Sequence, residues 1–510
     1  MSKQRSPDKN IFYRLGNLVD DVKSIFAPES AAKSKAERMG YFGYEAASPT
    51  RKDSGFPWDG PAEGINNASR ATLRARARDL ERNNPITNSI IVAIKNNVVA
   101  TGFNMQARSN NEVFNQRIEE LWEEWSHYEN CDYTKHQSLD DLLKLIARRK
   151  QVDGGILVTF PIDRNRMIPL TIQLHEVDEL TSENVAIPNG NIITDGVECT
   201  AEGLPVAYWI TQTDPAGIIL SEPKRIRAEN ALFLWDRTRV SQFREITPMA
   251  STIVPTKDLG DYANAVAFQQ KTAACTSVFV ETTNSASTMG RMAAQENGKS
   301  NIEQIKGGRV QYLNPGETAK MLIPSGQAAE VGNYLPLQQR MIAAAQGLSL
   351  ESTSRNVERV NYSSARQNLL ADEITYKQMR KELIEYFLRP LYKRFVQVCY
   401  LAGLLDGTGF DINDLQYYRA VWLAPSLGWI DPKKEAEANV INLQNGGKSF
   451  QQYCAEQGAD WRERIDEMAE AQEYAESKGV QLTYTQTKTT ADENRGDNED
   501  GESNKGDAEN

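Results

Sequence analysis

Five arginines and two carboxylates lie within RATLRARARDLERNNP, from Arg70 to Pro85. On a helix Arg70, Arg74 and Arg78 share one face at four-residue spacing, while Arg76 and Arg82 lie elsewhere around it. A guanidinium presents a planar fork of donors that fits a phosphate or a carboxylate bidentately. The stripe therefore serves either nucleic-acid contact or ion pairing inside a protein. Asp79 and Glu81 are near enough in sequence to partner some of it.

The densest acidic cluster in the β-rich region is Asp178 and Glu179 in HEVDELTSEN. Paired carboxylates can hold Mg²⁺, but a solvated loop has the same composition. The three histidines, His127, His136 and His175, lack the i,i+4 spacing of a metal pair. No GxSxG elbow, GxxxxGK[ST] phosphate loop or GxGxxG turn occurs. Gly154-Gly155, Gly307-Gly308 and Gly446-Gly447 read as turn or cap glycines. The expectation is a protein without catalytic residues, cofactor or metal.

Charge supports restraint about nucleic acid. The 510 residues carry a formal charge of −11, and the last twenty residues alone hold eight acids and two bases. The body is mildly acidic, which does not suit a protein that coats nucleic acid by net attraction. The five cysteines are scattered without CxxC pairing, as expected of a reducing compartment. The first residues lack an apolar signal core and no run of eighteen apolar residues occurs, so neither secretion nor a membrane span is expected.

The elements that must position these residues follow from periodicity. Residues 10–26 predict an amphipathic helix ended by Pro28, and 27–65 an extended arm with scattered aromatics. Residues 70–150 read as helical; in NQRIEELWEEWSHY, Ile118, Leu121, Trp122 and Trp125 share a face. Between 152 and 240 short β-branched runs alternate with turn signals. Helical signals return at 258–275 and about 333–346, separated by a β-run (SVFVET) and a polar segment. SLESTSRNVERVN after the second has few apolar anchors and reads as mobile. A long helix is expected over 363–402, kinked at Pro390, with Glu373/Lys377 and Glu385/Arg389 as i,i+4 pairs. Three short capped helices follow from Asp431, with a capping box at Ser449/Gln452 and a box-like start at Asp460/Glu463. Beyond about 485 the chain reads as disordered.

Three stretches together resemble the lambda-type portal proteins of tailed bacteriophages. They are LRARARDLERNNPITNSIIVAIKNNVVATGFNMQAR from Leu73, NYSSARQNLLADEITYKQMRKELIEYFLRPLYKRF from Asn361, and LGWIDPKKEAEANVINLQNGGKSFQQYCAEQGAD from Leu427. VAYWI and KDLGDYANAV also fit, so the resemblance runs from about 70 to 480. It departs at REITPMA (Arg244 to Ala250), where the family often has Arg-Gly-x-Pro, and at Gly154-Gly155, where a glutamate commonly follows the glycine.

The resemblance implies a mainly helical α+β portal fold with wing, stem, clip and crown. Such chains assemble into a ring, usually of twelve copies, around a central DNA channel. The implied partition is an amino-terminal helix and arm (1–65), a wing of helices then β-structure (66–245), and a first stem helix (246–275). A clip (276–329), second stem helix (330–347) and tunnel loop (348–361) come next. A kinked wing helix and its return (362–425), a helical crown (426–482) and an acidic tail (483–510) complete it. Implied partners are further copies of the chain, the terminase large subunit, head–tail adaptors, and the major capsid and scaffold proteins. Double-stranded DNA would pass through the channel non-specifically, and the chain is expected at the portal vertex of the virion and, during assembly, in the host cytoplasm.

Arg355, Asn356 and Arg359 are the candidate DNA contacts of the tunnel loop. With Glu351 and Glu358 opposing the two arginines, the loop is nearly neutral, which suits passage rather than gripping. In a wing, Arg74, Arg78 and Arg366 become candidates for ion pairs within or between subunits. The alternatives are another head–tail adaptor or minor capsid protein, and a metal-dependent DNA-processing enzyme built on Asp178 and Glu179.

Overall fold

The computed structural model describes residues 60–182, 185, 190–211, 214, 222–274, 278–282, 317–321, 328–356, 361–425, 432–480 and 482. The expected helix at 10–26, most of the arm and of the clip, and the acidic tail lie outside them. The chain divides into two units, Met1–Ile65 and Asn66–Asn510. The second holds all the described strands and all but the opening turn of the first helix.

The arginine stripe lies on helix α1 (Ala62–Asn83), which is separated from α2 (Pro85–Val98) by a single residue. Asn84 is that residue, and its Oδ1 accepts from the backbone N–H of Ile86 (2.9 Å) and Thr87 (3.1 Å). Pro85 at the first helical position needs no donor there, so the pair ends one helix and starts the next. Strand β1 (Asn104–Ala107) follows, then α3 (Glu112–Ser126) and α4 (Leu139–Asp153). β1 is a departure from the all-helical expectation for 70–150. Its partner is β11 (Ala420–Leu423), antiparallel from Asn104↔Leu423 to Ala107↔Ala420. A four-residue strand whose partner is three hundred residues away leaves no local signature.

Gly154 ends α4 with φ +92°, and an added Cβ would stand 2.5 Å from the carbonyl carbon of Ile246. The turn delivers the chain into β2 (Gly155–Thr159), buried throughout. β2 is the centre of a three-stranded antiparallel sheet between β3 (Gln173–His175) and β8 (Ala231–Trp235). A four-stranded meander lies beside it in sequence: β4 (Ile192–Thr194), β5 (Val197–Cys199), β6 (Pro205–Ile210) and β7 (Lys224–Arg227).

The first expected stem helix begins later than 246: Thr247 caps a single 3-10 turn (Pro248–Ser251) before α5 (Ile253–Ala274). β9 (Val278–Thr282) and β10 (Glu317–Met321) pair antiparallel. The second stem helix, α6 (Ala328–Ala345), starts earlier than expected and contains Pro336. α5 and α6 pack together, with Tyr262 and Tyr334 edge to face at 5.0 Å. The polar stretch 348–361, read as a loop, contains a short helix, α7 (Leu350–Ser354), N-capped by Ser349, with Leu348 and Thr353 buried.

The long helix is α8 (Tyr362–Leu383), a π-turn (Ile384–Leu388) and α9 (Arg389–Leu401). Pro390 cannot donate to the preceding turn, and the wider π-turn accommodates its ring. Both expected surface pairs form, Lys377–Glu373 at 2.9 Å and Arg389–Glu385 at 2.7 Å. Helices α10 (Pro432–Gln444), α11 (Phe450–Glu456) and α12 (Trp461–Ser477) close the described chain. The Ser449/Gln452 capping box is present, and Asp460 caps α12 through the Arg462 N–H.

The main core joins α2, α3, α4 and β2 to α8 and α9. At its centre Trp122 meets Trp125, Phe395 and Trp422 with ring centroids 5.0–5.3 Å apart. Trp125 is fully buried and donates Nε1–H to Leu170 O at 2.8 Å. A smaller cluster of Ala77, Leu80, Ile91, Val152, Met249 and Ile253 seats the apolar face of α1.

Candidate functional site

That seating aims the arginine face of α1 at the β-structure. Arg70 is almost fully buried; its Nε donates to Glu245 O at 3.0 Å and Nη1 pairs with Asp195 Oδ2 at 2.6 Å. Arg74 bridges Glu245 Oε1 (3.4 Å) and Asp178. Arg78 forks onto Asp153, Nε to Oδ1 at 2.7 Å and Nη2 to Oδ2 at 3.1 Å, and also meets Asp178 and Glu176. A turn further on, Glu81 accepts from Arg148 (2.6 Å) and Arg149 (2.5 Å), and Arg149 returns to Asp153 at 3.3 Å.

Arg244 completes the network from inside. It is 1 % exposed and clasps the side chain of Glu245, itself 0 % exposed, at 2.7 and 3.1 Å. It also donates to Val177 O (3.0 Å) and to the carbonyl of Asp195. Six guanidiniums (Arg70, Arg74, Arg78, Arg148, Arg149, Arg244) thus meet six carboxylates (Glu81, Asp153, Glu176, Asp178, Asp195, Glu245). Buried charges are tolerated only when paired and hydrogen-bonded, and here the balance is complete. Burial works against the charge on Arg78, but the carboxylates of Asp153, Asp178 and Glu176 outweigh it and raise its pKa. Burial likewise pushes Glu81 up, yet the bonds from Arg149 and Arg148 hold it below the usual carboxylate value.

The partners differ from those expected by proximity. Asp79 accepts from Asn83 (2.7 Å) instead of an arginine, and Glu81 serves α4. Asp153, Asp195 and Glu245 come from the ends of α4, the β4–β5 turn and the segment before α5. No spacing rule finds them; the only hint was REITPMA, which departs from the family pattern and contains the Arg244–Glu245 pair. Arg366 is exposed on α8, and Arg355 and Asn356 are exposed just beyond α7. Arg355 closes α7 with φ +55° and donates its N–H to Glu351 O at 2.8 Å. Arg359 lies outside the described residues.

The acidic pair is engaged as well. Asp178 faces Arg74 and Arg78, while Glu179 accepts from His175 Nδ1 (2.6 Å) and the Glu176 N–H (3.1 Å). Among the described residues no three His, Cys, Asp or Glu side chains are placed to hold a metal ion, and no helix is long and apolar enough to cross a membrane. In the meander, the Arg225 fork (2.8 and 2.9 Å) holds Glu198 down to about 2 against the effect of its burial, with Asn191 and Trp209 also donating.

The chain is thus mainly helical α+β, and its conspicuous charges brace its own segments. Residues 50–380 match the family model described as phage portal protein, lambda family. The match covers more than half of the chain, and the chain belongs to that family of head–tail connectors. It is 23% identical over 420 residues to a probable portal protein of Halomonas phage phiHAP-1, covering 79% of this chain and 80% of the relative. It is 21% identical over 499 residues to the portal protein of Escherichia phage N15, covering 87% and 91%. Among solved structures, a chain from the neck of an empty gene transfer agent particle aligns with a TM-score of 0.43 and 14% identity, over 78% of this chain and 92% of that one.

Proposed function

We propose that the chain forms a homo-oligomeric ring at one vertex of a phage capsid, with twelve copies as the family expectation, and that double-stranded DNA passes through its centre. Membership of the lambda portal family carries this reading, because the matched residues 50–380 span the arginine brace, the α5–α6 pair and α7. The ring nucleates head assembly with capsid and scaffold proteins, docks the terminase large subunit and later takes the tail adaptors. α5 and α6 are its stem, β9 and β10 belong to its clip, and α10 to α12 form its crown. The exposed Arg355 and Asn356 stand in the tunnel loop, whose nearly neutral sequence lets phosphates slide.

The arginine brace holds the wing rigid by tying α1 to β-structure of the same chain. The non-enzyme reading draws on the engagement of Asp178 by two arginines and of Glu179 by His175. Negative-stain microscopy and native mass spectrometry of the purified full chain test the proposal. A closed ring with an open centre is expected; a chain that stays monomeric at micromolar concentration would overturn it.

A further inference from the structure

The inward face of α8 presents Asn368, Asp372 and Thr375 at successive turns, and all three bind the segment that leaves α6. Asp372 is 3 % exposed and accepts twice from Ser349, from its N–H at 2.7 Å and from its hydroxyl at 2.6 Å. The same Ser349 Oγ accepts the Ser352 N–H at 3.2 Å and so caps α7. Thr375 Oγ1 donates to Gly347 O at 2.8 Å, and Asn368 Nδ2 donates to Glu351 Oε2 at 2.9 Å. Gly347 has φ +71°, and an added Cβ would stand 3.2 Å from Thr375 Oγ1, so the chain passes close over the helix.

α8 is itself tied down. Arg380, two turns beyond Asp372 on the same face, donates to Val98 O (3.1 Å) and Asn97 O (2.6 Å) at the end of α2. On the other side Gln346 accepts from Gln151 Nε2 at 2.5 Å and donates to Pro248 O at 3.3 Å, joining α4 and the turn before α5. Residues 346–351 are therefore held from both sides. α7 spans under two turns and cannot persist as an isolated helix in water. Arg355 occupies the left-handed region, which is disfavoured for a residue with a Cβ. Neither feature survives without an external anchor, and a buried carboxylate accepting two bonds from one serine is the strongest anchor in the segment.

We propose that Asp372 is a positioning residue for DNA passage: by holding Ser349 it fixes the root of the segment and sets where Arg355 and Asn356 stand. The proposal rests on reading this segment as the tunnel loop of a ring. It distinguishes a fixed root, through Ser354, from the exposed Arg355 and Asn356 that follow it.

The test uses full-length rings bearing Asp372→Ala, and the isosteric Asp372→Asn, which retains one acceptor and stands in if the alanine chain fails to fold. Hydrogen exchange of Ser349 to Ser352 is expected to speed up by about tenfold in the alanine variant and less in the asparagine variant. Packaged DNA per particle in phage complementation should fall in the same order, with ring size and yield unchanged. Unaltered exchange at 349–352 would remove the anchor; faster exchange with full packaging would remove its role in passage. Wild-type chain that forms no ring would overturn the portal reading itself, and is distinguished from both because it precedes any substitution.

Discussion

Replacing Asp153 by alanine is expected to destabilise the chain by about 3 kcal/mol. Its carboxylate is 1 % exposed and accepts from Arg78 at 2.7 and 3.1 Å and from Arg149 at 3.3 Å. Hydrogen bonds to charged groups contribute roughly 1.5–3 kcal/mol each, and removing one partner of a buried pair costs roughly 3–5 kcal/mol. The lower end applies because Arg78 is partly solvated and keeps Asp178 and Glu176. Arg78→Ala should cost less, about 2 kcal/mol, since Asp153 retains Arg149. The two changes share one fork, so the double variant should fall short of additivity by about 1.5–2 kcal/mol. Urea unfolding of the full chain, followed by tryptophan fluorescence at unchanged m-value, measures all three. Arg76→Ala, on the exposed face of the same helix, is the control and should stay within about 0.5 kcal/mol. A coupling energy near zero, or an Asp153→Ala cost no larger than the control, would refute the brace.

The junction of α3, β1 and α12 should be pH-sensitive. Burial, with Glu463 and Asp460 nearby, pushes Glu119 up to about 7 although it accepts the Ala107 N–H at 2.7 Å. A carboxyl raised in the folded state contributes fully below its ordinary value and loses that contribution as pH rises through the folded value. Amide protection of β1 and α12, corrected for intrinsic rates, should therefore fall as pH rises toward and past about 7, and Glu119→Gln should flatten the profile; a flat wild-type profile would contradict this. Arg380→Met leaves the Asn97 and Val98 carbonyls without their cation and should cost about 2–4 kcal/mol in urea unfolding, an unchanged midpoint being the adverse result. Gly154→Ala combines φ +92° with a backbone contact at 2.5 Å and should cost at least about 2 kcal/mol, so wild-type melting behaviour would show that the α4–β2 turn is not constrained.

Legibility followed the range of the interactions. The Ser449/Gln452 box, the Glu373/Lys377 and Glu385/Arg389 pairs and the apolar stripe of α3 are set by residues within four positions of one another, and each stands in the structure as its spacing predicts. The start of the segment after α6 shows the same limit. Its polar residues Ser349 and Glu351 carry no local sign of an anchor because their partners, Asp372 and Asn368, lie on another helix. β1 was missed because its partner is at the far end of the chain.

The arginines show where that boundary falls. Periodicity alone put Arg70, Arg74 and Arg78 on one face of a helix, and three long motifs alone pointed to the portal family. Whether the face meets phosphate or carboxylate was undetermined, because a guanidinium fork fits both equally well. Tertiary structure decided it by placing Asp153, Asp178, Asp195 and Glu245 against α1 from four separate segments. A helical face is a property of 3.6 residues per turn, whereas the dielectric and the countercharge it meets belong to whatever the rest of the chain packs upon it.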